Sequence, residues 1–415
     1  MPESRERSAA TAIVQALREQ RLVAYLAGGC VRDEVMGHAP KDYDVATDAR
    51  PERVRQIFRH TQAVGEHFGV ILVREQGCTV EVATFRHESG YRDRRRPDAV
   101  TFTDAQNDAR RRDFTINGLF MDPMSGEVID YVGGQADIKA GVIRAIGDPA
   151  ARLGEDHLRA LRAVRFAARF EFTIEAATAE AIRCDAAELR GVSRERIGQE
   201  IRLMLLDDHR ARAIKLLTEL GLDAPVLDEA KASGLLRTLE ALSFSGDEKA
   251  PEVIVASLAA WAVGRGAPDS RLAARWRRAL VLSNEERGGL AAVIADLARI
   301  PGEWAGMGVA ARKRMAAGPW FAMVLKVLRA VDAGTAARVR SDVESLQRHA
   351  GGIAPTPLVT GDDLVAAGFE AGPSFKGVLN AVYDAQLEGR VESCAQGMVL
   401  ARQLLKKQHN PARRP

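Results

Sequence analysis

Cysteine is scarce: the 415 residues hold four, Cys30, Cys78, Cys184 and Cys394, far apart and with no CxxC pair. That spacing excludes a zinc ribbon and a disulfide framework, and predicts reduced, buried thiols. Long apolar runs are missing as well. No stretch approaches the roughly 18 residues of a membrane span, and the opening MPESRERSAA is charged where a signal peptide would turn apolar. The expectation is a cytoplasmic protein with no membrane partner. A bias of charge is also lacking, with 59 Lys and Arg against 56 Asp and Glu, a net charge of +3. Bulk electrostatics therefore do not announce a nucleic-acid binder. No fixed-period repeat is present, which excludes a solenoid. What remains, 46% hydrophobic and 28% charged residues, is a globular composition, long enough for roughly two to four domains.

Charge is distributed more tellingly than it is summed. FRHESGYRDRRRPDAV (85–100) carries a dense arginine run, and residues 393–415 contain lysines and arginines but no acid. Such patches can line a phosphate backbone, or form a solvated loop and a frayed tail. Over residues 1–147 helical and strand patterns alternate: AATAIVQALREQ and PERVRQIF read as helices, and LVAYLA, DYDVAT, GVILVRE and CTVEVATF as strands. From Asp148 onward alanine, leucine and arginine recur at helical spacing and strand signals nearly vanish. The fold class expected is α+β, a small mixed sheet with helices followed by an all-helical remainder. GDP (147–149), SFSGDEKAPE (243–252) and GGIAPTPLVTGDD (351–363) punctuate it.

The stretch LAGGCVRDEVMGHAPKDYDVAT (26–47) concentrates charge in otherwise apolar surroundings. On a strand, Asp42 and Asp44 project to one face. Two adjacent carboxylates repel unless a cation lies between them, and hard oxygen ligands suit Mg²⁺ bound with substrate phosphates. A turn in which each aspartate bonds a backbone N–H also fits DYD. Gly28 and Gly29 follow the LVAYLA strand and allow close backbone approach to an anion, with Arg32 adding a positive charge. In CTVEVATF, Val80 and Val82 face the core and Glu81 the opposite side. If these groups converge, they form a nucleoside-triphosphate site able to activate a hydroxyl for in-line attack on an α-phosphate.

LAGGCVRD, KDYDVAT, VEVATFR, YRDRRRPDAVTF, ARRRDFTINGLFMDP, DYVGG and EDHLRALRAVRF stand in an order that resembles the class II tRNA nucleotidyltransferase and bacterial poly(A) polymerase family of the polymerase β superfamily. The resemblance runs continuously from about residue 20 to 205 and returns in GDDLVAAGFEAGPSFKGVLNAVYDAQLEGR near the end. It implies a nucleotidyltransferase head (1–147), a helical neck with a base-reading helix (148–225), a helical body (226–350) and a tRNA-binding tail (351–415). It also implies Asp42, Asp44 and Glu81 as catalytic carboxylates, the two aspartates holding Mg²⁺. Nucleotide contacts are implied for Gly28, Gly29, Arg32, Arg112, Asp156, Arg159, Arg162 and Arg165. The loop ESGYRDRRRPDAV corresponds to the region that helps such sites change from C to A addition, and SRERIGQEIRLML to a segment bracing the base-reading helix. Gly118 departs from the family, which has alanine after TIN; an effect on packing alone is expected.

Base choice without a template has a physical logic in EDHLRALRAVRF. A helix there places Asp156 and Arg159 one turn apart, with Arg162 on the same side and Leu161, Val164 and Ala168 packing opposite. Cytosine and adenine each present an amino donor beside a ring-nitrogen acceptor, whereas uracil and guanine present the reverse. An acceptor-only carboxylate beside a donor-only guanidinium therefore matches CTP and ATP. The expected activity is addition of C, C and A to a tRNA 3′ end, with CTP, ATP and tRNA as partners and no DNA. Alternatives are a poly(A) polymerase, an A-only or CC-only enzyme, or a non-catalytic RNA binder. VGEHFGV (64–70) stands where poly(A) polymerases carry a basic GRRF-like element, which favours the tRNA enzymes. The chain has no His-Asp dipeptide, the anchor of HD-type phosphohydrolase sites.

Overall fold

A seven-stranded mixed sheet organises the first part of the chain in the computed structural model, which describes residues 4–63, 69–89, 99–230, 237–349 and 351–409. The chain separates into two units, residues 1–232 with 279–281, and residues 233–278 with 282–415. The first holds β1 (Ala24–Ala27), β2 (Asp44–Thr47), β3 (Thr61–Ala63), β4 (Val70–Glu75), β5 (Cys78–Thr84), β6 (Arg86–Ser89), β7 (Ala99–Phe102), β8 (Leu119–Met121), β9 (Val128–Asp130), β10 (Val142–Ile143) and β11 (Thr173–Ile174). The large sheet has the order β3-β4-β5-β2-β1-β8-β9; β6 with β7, and β10 with β11, form two small pairs. The four strands expected from alternation are all present. Among the described residues the regular elements of the second unit are all helices, as the alanine- and leucine-rich spacing predicted. Of the segments singled out in the sequence, 64–68 of VGEHFGV, 90–98 of the arginine-rich loop and 410–415 of the basic tail lie outside the described residues.

Alternation decides what each face of the sheet meets. The helix Arg5–Glu19 is opened by Ser4, whose hydroxyl accepts from the Arg7 N–H, as N-caps do. Its apolar stripe, Ala9, Ile13, Val14 and Leu17, is fully buried against Leu26, Val45, Val80 and Val82. The opposite face carries Ala27 and Ala46, packed with Phe85, Phe120 and the helix Ala105–Arg111. Because side chains repeat every two residues, Asp44 and Glu81 fall on this second face. Alanines beside them leave it shallow enough to become a cleft.

The thiols depart from expectation. All four cysteines are free as predicted, but only Cys30 is buried; Cys78 is partly covered, and Cys184 and Cys394 are exposed at helix ends. Their helices bury the faces that alanine, isoleucine and leucine already fill.

Gly118 packs tightly for a reason of space, not of backbone angle. A Cβ there would sit 2.6 Å from Val132 Cγ2 and 3.3 Å from Ile146 Cδ1. Gly118→Ala should therefore cost about 1–3 kcal/mol by overpacking, read from urea unfolding. The double substitution with Val132→Ala should recover most of that; equal stability of the single variant and the parent would refute the packing account.

Candidate active site

Parallel pairing of β2 with β5 sets Asp44 opposite Glu81 in register. The two carboxylates thus share a face on adjacent strands, while Asp42 precedes β2 at the exposed rim. Asp44 reaches solvent, yet the surrounding protein desolvates it and the Glu81 charge adds to that. Partial relief from Arg112 and further repulsion from Asp42 leave its pKa at about 6. Carboxylates held together at such cost fit a divalent cation. Among the described residues no three acids, histidines or cysteines are arranged as a ready-made ligand set; what the strand register brings together is the pair Asp44 and Glu81.

Above these acids lies a cleft of about 490 Å³, lined by eight arginines, Arg32, Arg86, Arg111, Arg112, Arg159, Arg162, Arg165 and Arg169, against three acids, Asp44, Glu81 and Asp113. A concave surface of this sign concentrates polyanions. The near-neutral total charge of the chain conceals it. Gly28 and Gly29 line the floor. Gly28 has φ +74°, and a Cβ on it would lie 2.7 Å from Arg112 Nη1, so only glycine allows the guanidinium to cross here. Its N–H is already donated to the Leu119 carbonyl at 3.0 Å. Close approach, rather than a free amide, is what this glycine provides.

Arg112 is aimed by Asp108, which accepts from Nε at 3.2 Å and Nη2 at 3.1 Å, and by the Asn117 carbonyl at 3.2 Å. Arg32 is buried and firmly held. Its Nε and Nη2 donate to Asp33 at 2.8 and 2.6 Å, and its Nη1 donates to Asn117 Oδ1 at 2.6 Å. The rings of Phe166 and Phe170 lie 5.2 and 4.8 Å from its guanidinium carbon, a cation–π arrangement. Asn117 also donates to Asp113 at 3.0 Å. Asn117 therefore ties Arg32 and Asp113 together through its side-chain amide and Arg112 through its backbone carbonyl.

The far wall is the helix Leu158–Arg169, whose Leu161, Val164 and Ala168 are buried as expected. Arg159, Arg162 and Arg165 reach the cleft, and Arg169 continues their spacing. Asp156 does not lie on that helix. It sits in an extended break after the helix Pro149–Glu155, where its carboxylate accepts from the Leu158 N–H at 3.1 Å. Aspartate satisfies the open amides of a helix start, and that competes with continuing the helix. Nor does Asp156 meet Arg159. Both its oxygens are taken by Arg196, at 3.1 and 2.6 Å, while Arg159 bonds the Glu155 carboxylate and the Arg152 carbonyl.

The helix Arg194–Leu206 supplies that brace twice. Besides Arg196, its buried Glu200 accepts from Arg165 Nε at 2.7 Å and lies 4.0 Å from Arg162. Arg162 Nε in turn donates to Asp113 at 2.8 Å. Asp42 and Asp156 are the predicted site residues outside the cleft lining; the others converge on it. Sequence reasoning missed Arg86, Arg111, Arg169, Asp113 and Asn117. The helical spacing of three, three and then four residues from Arg159 could have revealed Arg169, and the RRR run Arg111.

Residues 24–144 match the Poly A polymerase head domain, and residues 171–233 the segment described as "Probable RNA and SrmB- binding site of polymerase A". The CCA-adding enzyme of Lactiplantibacillus plantarum is 42% identical over 240 residues, 57% of this chain; the match spans 58% of that relative's length. The CCA-adding enzyme of Geobacillus thermodenitrificans is 33% identical over 398 residues, 92% of this chain and 93% of its own. The crystal structure of the Bacillus stearothermophilus CCA-adding enzyme in complex with CTP superposes with a TM-score of 0.79 at 31% identity, over 97% of this chain and 98% of that one. With a matching head domain, and with the Geobacillus thermodenitrificans and Bacillus stearothermophilus enzymes alignable along nearly their whole length, the chain belongs to the CCA-adding enzyme family of nucleotidyltransferases.

Proposed function

We propose that the chain is a tRNA nucleotidyltransferase that adds C, C and A from CTP and ATP to the tRNA 3′ end without a nucleic-acid template, releasing pyrophosphate. The observation that carries this reading is the in-register pair Asp44 and Glu81 beneath an arginine-lined cleft. The family works with a divalent cation; Mg²⁺, held by Asp44 and Asp42 with Glu81 beside them, would lower the cost of the charge that develops in phosphoryl transfer. Arg112, fixed by Asp108 and Asn117, is placed to neutralise the triphosphate. Arg32 holds the glycine turn against the helix Leu158–Arg169 through its two phenylalanine contacts. Arg162 and Arg165 give the nucleotide a donor wall oriented by Asp113 and Glu200.

Base choice falls to Asp156 and Arg159. Arg196 holds Asp156 in place, and a carboxylate with lone pairs to spare can still accept from the amino group of C or A. Asp156→Ala should reduce discrimination of CTP against UTP and of ATP against GTP by about 1–3 kcal/mol each, roughly 5- to 150-fold. Ratios of kcat/KM for the four nucleotides measure this, and selectivity left intact would remove Asp156 from the reading. The division into head, neck, body and tail at residues 147, 225 and 350 belongs to the same proposal.

The deciding experiment supplies Mg²⁺, each labelled nucleotide alone and then CTP with ATP, to tRNAs lacking one, two or three terminal nucleotides. Growth that stops after CCA supports the proposal. Long A tails, A alone or CC alone would assign one of the alternative polymerases, and no incorporation would leave an RNA binder.

A further inference from the structure

The second unit contains a cationic pocket that the catalytic cleft does not use. Its volume is about 290 Å³, and it is lined by Ser243, Phe244, Ser245, Lys326, Arg329 and Arg340. Three segments converge to make it. The helix Phe321–Val331 supplies Lys326 and Arg329 one turn apart, the helix Ala333–Gln347 supplies Arg340, and the turn before the helix Ala250–Arg265 supplies the serines and Phe244.

The turn is built, not loose. The Glu248 carboxylate accepts from the backbone N–H groups of Ser245 and Gly246 at 3.0 and 3.1 Å, and from the Ser245 hydroxyl at 3.0 Å. Lys326 Nζ pairs with Glu248 at 2.7 Å, and lies 5.5 Å from the Phe244 ring centroid. Arg329 Nη2 donates to the Ser243 hydroxyl at 3.1 Å, a neutral partner that leaves its charge unbalanced. Arg340 makes no ion pair with any described residue. Glu248 thus offsets one of three cations, and like charges one helical turn apart destabilise a bare helix. Such an arrangement is stabilised by an anion, and a concave site strengthens the attraction.

We propose that this pocket is a phosphate-binding subsite separate from the nucleotidyltransferase centre. Arg329 and Arg340 supply forked donors to the phosphate oxygens, and the Ser243 hydroxyl is free to give its proton while accepting from Arg329. The volume exceeds that of a phosphate, so the attached sugar fits beside Phe244. Two sources share this chemistry: the backbone of a bound tRNA, which rests on the function proposed above, and a free phosphate or nucleotide.

Arg340→Glu tests it without disturbing the turn, because Arg340 holds nothing in place. Filter binding of tRNA to the full chain across a salt series, with Arg329→Gln/Arg340→Gln as a second variant, gives the first arm. With the backbone as ligand, the tRNA Kd should rise about 3- to 10-fold, and the slope of log K against log salt should fall by roughly 1 per lost contact; kcat at saturating tRNA should hold. Calorimetry of inorganic phosphate into CTP-saturated protein gives the second arm. Unchanged tRNA affinity with a phosphate site present in the parent and lost in Arg340→Glu would assign the free anion. If neither RNA affinity nor phosphate binding changes, the proposal is overturned. A parent that adds no nucleotide, but whose Arg340→Glu form still weakens RNA binding, would sink the proposed activity and leave the subsite standing.

Discussion

Asp44→Asn is expected to reduce nucleotide addition by on the order of 10³-fold or more, the several kcal/mol of charge stabilisation that a bound metal provides in a transition state. The same substitution should leave the head folded and, without divalent cation, slightly raise its melting temperature at neutral pH. Both effects come from one feature, a carboxylate desolvated by its surroundings and crowded by Glu81 until its pKa reaches about 6. A pKa raised on folding means that the fold disfavours the ionised form. Stability is full below the ordinary aspartate range and is lost as pH climbs through about 6. A cation that binds the ionised pair reverses that loss. The thermal shift caused by Mg²⁺ should therefore be larger at pH 8 than at pH 5 in the parent, and nearly independent of pH in Asp44→Asn. Retained addition by the variant, or a metal shift equal at both pH values, would remove Asp44 from the metal-binding role.

How much of this centre could be read in the sequence depends on the range over which each piece is determined. The period-2 pattern placed Val80 and Val82 inside and Glu81 outside, because alternation is local to a strand. The pairing Asp44↔Glu81 is not local: a parallel register is set by the connection and the core between the strands. Motif order supplied the neighbourhood without the geometry. The arginines of Leu158–Arg169 were legible from helical spacing, but Asp156 was assigned to the same helix although it precedes it, accepts from the Leu158 N–H and bonds Arg196 instead. Aspartate's capping preference was the available signal, and the continuous charge pattern of EDHLRALRAVRF obscured it. Asn117 left no trace, since its partners Arg32, Arg112 and Asp113 approach only when a short 3₁₀ turn meets the glycine turn and the end of the helix Ala105–Arg111.

Asp113 joins that convergence through three hydrogen bonds. It is buried, yet Arg162, Asn117 and the Phe114 N–H overcome its desolvation and hold its pKa down to about 2. One oxygen accepts from Phe114 N–H at 2.8 Å and Asn117 at 3.0 Å, the other from Arg162 at 2.8 Å. Asp113→Ala strands three donors and should cost about 3–5 kcal/mol, the penalty for breaking a buried pair from one side. Asp113→Asn keeps the shape and removes the charge, so its loss should be smaller, about 2 kcal/mol for a depression of nearly 2 pH units. The sign follows from a lowered pKa: this stability is present above about pH 4 and disappears as pH falls through about 2. Urea midpoints of parent and Asp113→Asn should therefore differ at pH 7 and converge toward pH 2. Arg162→Ala in both backgrounds closes the cycle, and a coupling of about 2 kcal/mol is expected for residues in direct contact. Asp113→Asn should raise the KM for CTP more than it lowers kcat, because Arg162 loses its orientation while Asp44 and Glu81 keep theirs. Additive effects of the two substitutions would mean that Asp113 stabilises its own turn alone, and the arginine wall would then depend on Glu200.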